Sequence, residues 1–99
     1  MKGYVIASIE VQDPKAYDVY RSQVLATVEK HGGRFLVRAG QMEKKEGDWK
    51  PGRIVVLEFP SMAAARGWYE SPEYAPLAAL RQGASRADVL LIVEGAPGV

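Results

Sequence analysis

The 99-residue sequence contains no cysteine, no asparagine and only one histidine. Without cysteine there are neither disulfide bonds nor thiolate chemistry, and without asparagine there is no N-glycosylation acceptor. A single imidazole among scattered carboxylates is not a recognisable set of metal ligands, so we expect no metal site. The phosphate-binding loop and the dinucleotide fingerprint are also missing, and we expect no cofactor.

A strong charge of one sign is lacking as well. Thirteen basic and twelve acidic side chains leave a formal net charge of +1, which argues against nucleic acid or an acidic membrane as a partner. No apolar run is long enough to span a bilayer, and no signal peptide is apparent, so we expect a cytoplasmic protein. The length predicts a single domain at residues 1–95 and a flexible tail at 96–99.

Two kinds of periodicity divide the chain into strands and helices. Alternating and β-branched segments predict strands at residues 4–11, 34–40, 53–59 and 87–94. Helical spacing predicts one helix from Asp13-Pro14 to His31-Gly32-Gly33, and a second from 62 to about 70 with Ser61 as N-cap. Helix restarts after Ser71-Pro72 and runs to about 81, with its first turn distorted by Pro76.

The resulting order is β-α-β-β-α-β, and this order restricts the topology. Right-handed crossovers make the two strands of each β-α-β half parallel, with one strand between them. Interleaving the halves gives a four-stranded antiparallel sheet in the order 4-1-3-2, with the helices on one face. The sequence therefore predicts an α+β, ferredoxin-like fold.

Alternate strand residues separate the two faces of this sheet. One set is entirely apolar, is expected under the helices, and includes Val37, Val89, Leu91 and Val93. The other set mixes aliphatic side chains (Leu36, Ile54, Val56, Leu90 and Ile92) with charged ones (Glu10, Arg34, Arg38, Glu58 and Glu94). Such an apolar patch is larger than soluble monomers usually expose. A second copy of the same face is its simplest cover, which predicts a homodimer, the alternative being a semi-polar face on a monomer.

Two side chains are candidates for acid–base chemistry. The charges on the second face are most simply ion pairs, but Glu58 lies in mid-strand. Without a cation beside it, its pKa would be raised and it would serve as a general base. His31, at a helix C-terminus, is most simply stabilised there by the helix dipole, and it becomes a proton shuttle if it faces a cleft.

Aromatic side chains form the other candidate site. Tyr17, Tyr20, Trp68, Tyr69 and Tyr74 most simply fill the core. Alternatively, they line a cleft between helices and sheet that suits a small, flat or acidic organic molecule. A carboxylate of that molecule would be held by Arg34, Arg38 or Arg81 through paired hydrogen bonds.

Several motifs together resemble the domain of unknown function 1330 family. They are Asp13–Tyr20, His31–Arg38, Gly47–Trp49, Arg53–Ser61, Trp68–Tyr74 and Leu80-Arg81, and the resemblance covers nearly the whole chain. It implies a dimeric α+β barrel, in which two ferredoxin-like subunits pair sheet to sheet. The family has no established activity, although relatives in the superfamily include cofactor-independent monooxygenases and small isomerases.

Three functions remain open on this sequence. The first is a homodimer that binds a small aromatic or carboxylate-bearing molecule in the cleft. The second is a cofactor-independent monooxygenase- or isomerase-like enzyme, and the third is a purely structural or assembly role. Polar groups that converge on empty volume favour the first two, whereas a filled cleft with every polar group paired favours the third.

Overall fold

The computed structural model of the chain describes residues 1–98. The described elements are, in order, β1 (Gly3–Val11), α1 (Pro14–Lys30), β2 (Arg34–Arg38), β3 (Arg53–Phe59), α2 (Met62–Tyr69), α3 (Ala75–Ala84) and β4 (Ser85–Glu94). The strands form an antiparallel sheet in the order β2-β3-β1-β4, which is the predicted order counted from its other edge. The α+β, ferredoxin-like class is thus confirmed. The last residue of the predicted tail, Val99, lies outside the described residues.

The first two helices begin at the residues that their capping side chains predict. The Asp13 carboxylate accepts a hydrogen bond from the backbone N–H of Ala16 at 3.2 Å, and Ser61 Oγ accepts one from Ala64 at 3.0 Å. These bonds satisfy amide groups that the first helical turn leaves free. Helix α1 ends where Gly32 takes a φ of 79°, in the left-handed region that favours glycine.

Helix α3 begins later than predicted, at Ala75 rather than after Pro72. Ser71 Oγ accepts a hydrogen bond from the backbone N–H of Tyr74 at 3.2 Å, which holds the intervening residues in a turn. Pro76 consequently lies in the first turn of α3. Backbone N–H groups in that turn have no partner within the helix, so a proline there breaks no helical hydrogen bond. The expected distortion by Pro76 was wrong, because that residue marks the helix start.

The core lies between the helices and one face of the sheet. Its largest buried side chains include Phe59, Trp68 and Tyr74. The Trp68 ring centroid lies 5.6 Å from that of Phe59 and 4.2 Å from that of Tyr74. Trp68 therefore joins the sheet to the turn that precedes α3, and its indole N–H is satisfied by Thr27 Oγ1 at 3.0 Å.

The faces of β4 are the reverse of those predicted. Residues paired across neighbouring strands share a face, and the buried Val5 and Ala7 pair with Ile92 and Leu90. Leu90 and Ile92 therefore pack against the core, whereas Val89, Leu91 and Val93 lie on the other face, with Leu91 48% exposed. The run Val89–Val93 is apolar throughout, so it has no apolar–polar alternation from which its buried side could be predicted. The side is determined by an irregularity in the β1–β4 pairing, opposite Ser8 and Ile9.

A second irregularity, in β2, changes the position of an arginine. Phe35 pairs with Leu57, but Val37 pairs with Val56 and Arg38 with Val55, so one extra residue is inserted between Phe35 and Val37. The bulge places Arg38 on the helix side of the sheet and Val37 on the opposite side. The predictions for both residues were wrong, because strict alternation does not anticipate a bulge.

The helix-free side of the sheet, here called the open face, is an apolar band with ion pairs at its ends. Its aliphatic residues are Ile6, Val37, Ile54, Val56, Val89, Leu91 and Val93. Arg34 Nε lies 3.0 Å from Glu58 Oε1 near one end, and Arg86 Nη2 lies 2.9 Å from Glu10 Oε2 near the other. None of the described helices is both long enough and apolar enough to cross a membrane.

Two glycines offer a test of this packing. A Cβ on Gly3 would lie 2.4 Å from the Ser61 carbonyl oxygen, whereas a Cβ on Gly67 in α2 would meet no atom within 4 Å. We expect Gly3→Ala to cost about 1–3 kcal/mol in the free energy of unfolding, and the control Gly67→Ala to gain about 0.5–1 kcal/mol. Thermal unfolding measures both, and an unchanged Tm for Gly3→Ala would contradict the close approach of β1 to α2.

Candidate functional site

A cleft opens between α1, the helix-covered face of the sheet and the α2–α3 segment. The empty space between its walls, including the solvent at its open mouth, is about 510 Å³. The floor is made of the sheet residues Val5, Ala7, Ile9, Val55, Leu57 and Leu90. The cleft is therefore an extension of the core that reaches solvent.

Aromatic rings form much of the cleft wall. Tyr17 and Tyr20 come from α1, Phe35 from β2, Trp68 from α2, and Tyr74 from the turn before α3. The two α1 rings have centroids 5.4 Å apart, because residues three apart lie on the same side of a helix. Such a wall favours a flat, apolar molecule.

A hydrogen-bonded array of three polar side chains lies at the α3 end of the cleft. The hydroxyls of Tyr20 and Tyr74 are 2.9 Å apart, and Arg81 Nε donates to the Tyr74 hydroxyl at 3.3 Å. Arg81 is only 4% exposed. Burial, together with the neighbouring Tyr74, raises the pKa of Tyr20 far above its ordinary value, so this phenol stays protonated. The array thus presents hydrogen-bond donors and a positive charge.

Three more arginines line the cleft from the β2–β3 side and from α1. The Arg38 guanidinium lies over the Phe35 ring at 4.2 Å from its centroid, and that of Arg53 lies over the Tyr17 ring at 5.3 Å. Burial and the positive charges of Arg21 and Arg53 lower the pKa of Arg38. These guanidinium groups are therefore close enough to repel one another.

The cleft walls formed by residues 1–98 carry no negative charge. None of the described lining residues of the cleft is acidic. Within residues 1–98, no carboxylate lies within ion-pair distance of Arg38, Arg53 or Arg81, and only Arg21 has a partner, the exposed Asp18 at 3.4 Å. The Nε of Arg53 is buried and has no hydrogen-bond partner in the described structure. An anion in the cleft would offset these charges.

The predicted binding residues divide between the cleft and the rest of the molecule. Six of them line the cleft: Tyr17, Tyr20, Arg38, Trp68, Tyr74 and Arg81. Arg34 does not, because it lies on the open face with its side chain 70% exposed. Tyr69 packs behind the cleft wall, with its ring centroid 6.2 Å from that of Trp68 and 5.8 Å from that of Tyr74.

Neither predicted acid–base residue lies in the cleft. Glu58 is on the open face, where it accepts hydrogen bonds from Arg34 and from the Tyr4 hydroxyl at 3.0 and 3.2 Å. Partial burial of the Glu58 carboxyl opposes its ionisation. The hydrogen bonds from Arg34 and Tyr4 and the charge of Arg34 have the larger effect, and they hold the pKa of Glu58 below its ordinary value. His31 lies at the end of α1, 3.9 Å from Glu73. Both positions disagree with a role as base or proton shuttle in this cleft.

Two of the cleft arginines, Arg53 and Arg21, were not predicted from the sequence, although the spacing of each indicates its position. Arg53 has the same strand parity as Val55, Leu57 and Phe59, which places it on the helix side. Arg21 follows Tyr17 by four residues and so lies on the same helix face. Among residues 1–98, no three histidine or acidic side chains are grouped so that they would hold a metal ion.

Solved structures of similar fold come from several bacteria. A protein of unknown function from Rhodopseudomonas palustris is 18% identical, with a TM-score of 0.74 over 96% of this chain and 82% of that one. SnoaB, a cofactor-independent oxygenase from Streptomyces nogalater, is 15% identical, with a TM-score of 0.63 over 99% and 96%. A dimeric ferredoxin-like protein of unknown function from Jannaschia sp. CCS1 is 17% identical, with a TM-score of 0.61 over 97% and 99%. At these identities the similarity shows the fold alone.

The family is shown by the sequence itself. The model of the DUF1330 family, described as a domain of unknown function, matches residues 2–96. The chain belongs to this family, as its motifs indicated. The comparison with curated proteins gives no match.

The tyrosine–arginine array makes a prediction about stability. Tyr74→Phe would remove the acceptor of the buried Arg81 Nε, and we expect a cost of about 1–3 kcal/mol in the free energy of unfolding. The control Tyr20→Phe leaves that acceptor in place and should cost about 1 kcal/mol or less. Urea denaturation of both variants measures the difference. Equal costs would show that Arg81 does not depend on Tyr74.

Proposed function

We propose that this protein is a homodimer that binds a small aromatic carboxylate in the cleft between the helices and the sheet. The observation that carries the proposal is the set of cleft arginines Arg38, Arg53 and Arg81, which have no acidic partner among the described residues. Positive charge enclosed by apolar walls is costly unless an anion accompanies it. A ligand carboxylate meets this need.

The form of the charged groups supports a carboxylate. A guanidinium presents a planar fork of N–H donors that matches the two oxygens of a carboxylate. Arg38 and Arg53 are already oriented by their contacts with the rings of Phe35 and Tyr17. Oriented donors lose less side-chain freedom when a ligand binds. The remaining ring walls and apolar floor suit the aromatic part of the ligand.

The open face supports the homodimer. Val37 and Leu91, both on this face, are 38% and 48% exposed, and burying such apolar area stabilises by about 25 cal/mol per Å². The charged groups at its ends are neutralised within the chain by the Arg34–Glu58 and Arg86–Glu10 pairs. A second copy can thus approach without unpaired like charges.

Catalysis on the bound molecule is the second candidate. The observation in its favour is the hydroxyl pair of Tyr20 and Tyr74 beside Arg81, which is able to donate hydrogen bonds to a ligand oxygen. However, the described cleft lining contains no carboxylate and no imidazole that would act as a base. A purely structural role is less well supported, because Arg53 lines the open cleft and its Nε has no hydrogen-bond partner in the part of the chain that the structure describes. Binding is therefore the function that the geometry supports best.

Binding is tested with a pair of ligands that differ in charge. We expect benzoate to bind more tightly than benzamide, which has nearly the same shape, because only benzoate offsets the arginine charge. Arg53→Met should weaken benzoate binding about tenfold, whereas Arg66→Met, which removes the same charge outside the cleft, should not. Isothermal titration calorimetry measures all four affinities. Equal binding of benzoate and benzamide would exclude an anion site.

The dimer is tested with matched substitutions on opposite sides of the molecule. We expect the wild-type protein to show twice the 10.8 kDa chain mass in solution. Leu91→Asp should abolish the dimer because it places a charge in the apolar band. Leu25→Asp, at a 39% exposed position on α1, should leave the mass unchanged. Light scattering decides the matter, and a folded wild-type monomer would refute the homodimer.

A further inference from the structure

We infer that the cleft selects an aromatic molecule with two acidic groups at opposite ends, and not one with a single acid. This inference rests on the proposed function and specifies its ligand class. It follows from how the unpaired positive charges are distributed in the cleft. They lie at two separate places, with aromatic rings between them.

The first charged end is Arg81. This side chain comes from α3, which packs on β4 and α1. Its Nε donates a hydrogen bond to the Tyr74 hydroxyl, and within residues 1–98 it has no acidic partner. A hydrogen bond to a hydroxyl does not cancel the charge of a buried guanidinium. An anion at this end would be bound by the rest of the guanidinium, with the Tyr20 and Tyr74 hydroxyls close by.

The second charged end is formed by Arg38 and Arg53. Arg38 in β2 pairs with Val55, and Arg53 in β3 pairs with Ile9. Their groups lie over the Phe35 and Tyr17 rings. Arg53 Nε is buried and has no hydrogen-bond partner among residues 1–98, so this end also has a donor that is not used and does not reach water.

The two ends are on different elements and contact different aromatic rings. Arg81 on α3 donates to Tyr74, whereas Arg38 on β2 and Arg53 on β3 lie over Phe35 and Tyr17. The rings of Tyr17, Tyr20 and Tyr74 lead from one end to the other, with successive centroids 5.4 and 6.3 Å apart. A ligand with one acid would leave one charged end unpaired. A rigid aromatic ligand with an acid at each end would satisfy both.

The experiment compares ligands that share a ring system. Naphthalene-2,6-dicarboxylate carries its acids at opposite ends, naphthalene-2,3-dicarboxylate carries them side by side, and 2-naphthoate has only one. We expect the 2,6-isomer to bind the wild-type protein about tenfold more tightly than either of the others. The 2,3-isomer is the matched control, because it has the same charge but does not span the cleft. Isothermal titration calorimetry gives the three affinities.

Substitutions at each end complete the test. Arg53→Met and Arg81→Met should each reduce the advantage of the 2,6-isomer over 2-naphthoate to about twofold or less, since one charged end remains for a single acid. Arg66→Met should retain the full advantage. If the buried Arg81→Met variant does not fold, Arg53→Met and the wild-type ligand series still decide.

The outcomes distinguish the inference from the function on which it rests. If 2-naphthoate binds and the two dicarboxylates bind equally well, the two-ended site is refuted and the aromatic carboxylate site stands. An unchanged 2,6-isomer advantage in Arg53→Met also refutes the two-ended site. If none of the three acids binds, the proposed function fails, and the inference fails with it.

Discussion

The pairing of β1 with both β3 and β4 is the constraint on which the rest of this structure depends. It fixes which strand residues lie under the helices and which lie on the open face, because paired residues share a side of the sheet. Two irregularities then break the alternation, one in the β1–β4 pairing and one in β2. The first reverses the aliphatic faces of β4. The second turns Arg38 from the open face into the cleft, so the chemistry of the cleft follows from strand register.

Arginine is suited to this cleft in a way that lysine would not be. A guanidinium is weakly hydrated and stacks on aromatic faces, as Arg38 does on Phe35 and Arg53 on Tyr17. These contacts hold a charge beside apolar walls without an acidic neighbour, although they do not cancel it. The aromatic residues thus do two things: they complete the core through Trp68 and Tyr74, and they position the charged groups that face the cleft.

The sequence predicted the architecture more fully than the site, and the reason is physical. Local signals such as the Asp13 and Ser61 caps and the left-handed Gly32 act within a few residues, so they were visible in the sequence. The face of Leu91 was not, because an unbroken apolar run has no period. The position of Arg38 depends on a bulge, and bulges arise from pairing between distant strands. The sequence did not show that Glu58 pairs with Arg34, because only the strand register places these two residues opposite one another.

The same register explains why the acidic side chains do not share the cleft with the basic ones. Glu10 and Glu58 have the parity of the open face, where Arg86 and Arg34 neutralise them. The described lining of the cleft carries only positive charge, so the chain as a whole is nearly neutral while its cleft is not. The described lining residues therefore provide no carboxylate or imidazole base to a ligand, but they surround the ligand with hydrogen-bond donors and positive charge. A site of this composition stabilises an anion that is already formed, which is the requirement of recognition, and it offers little help in removing a proton.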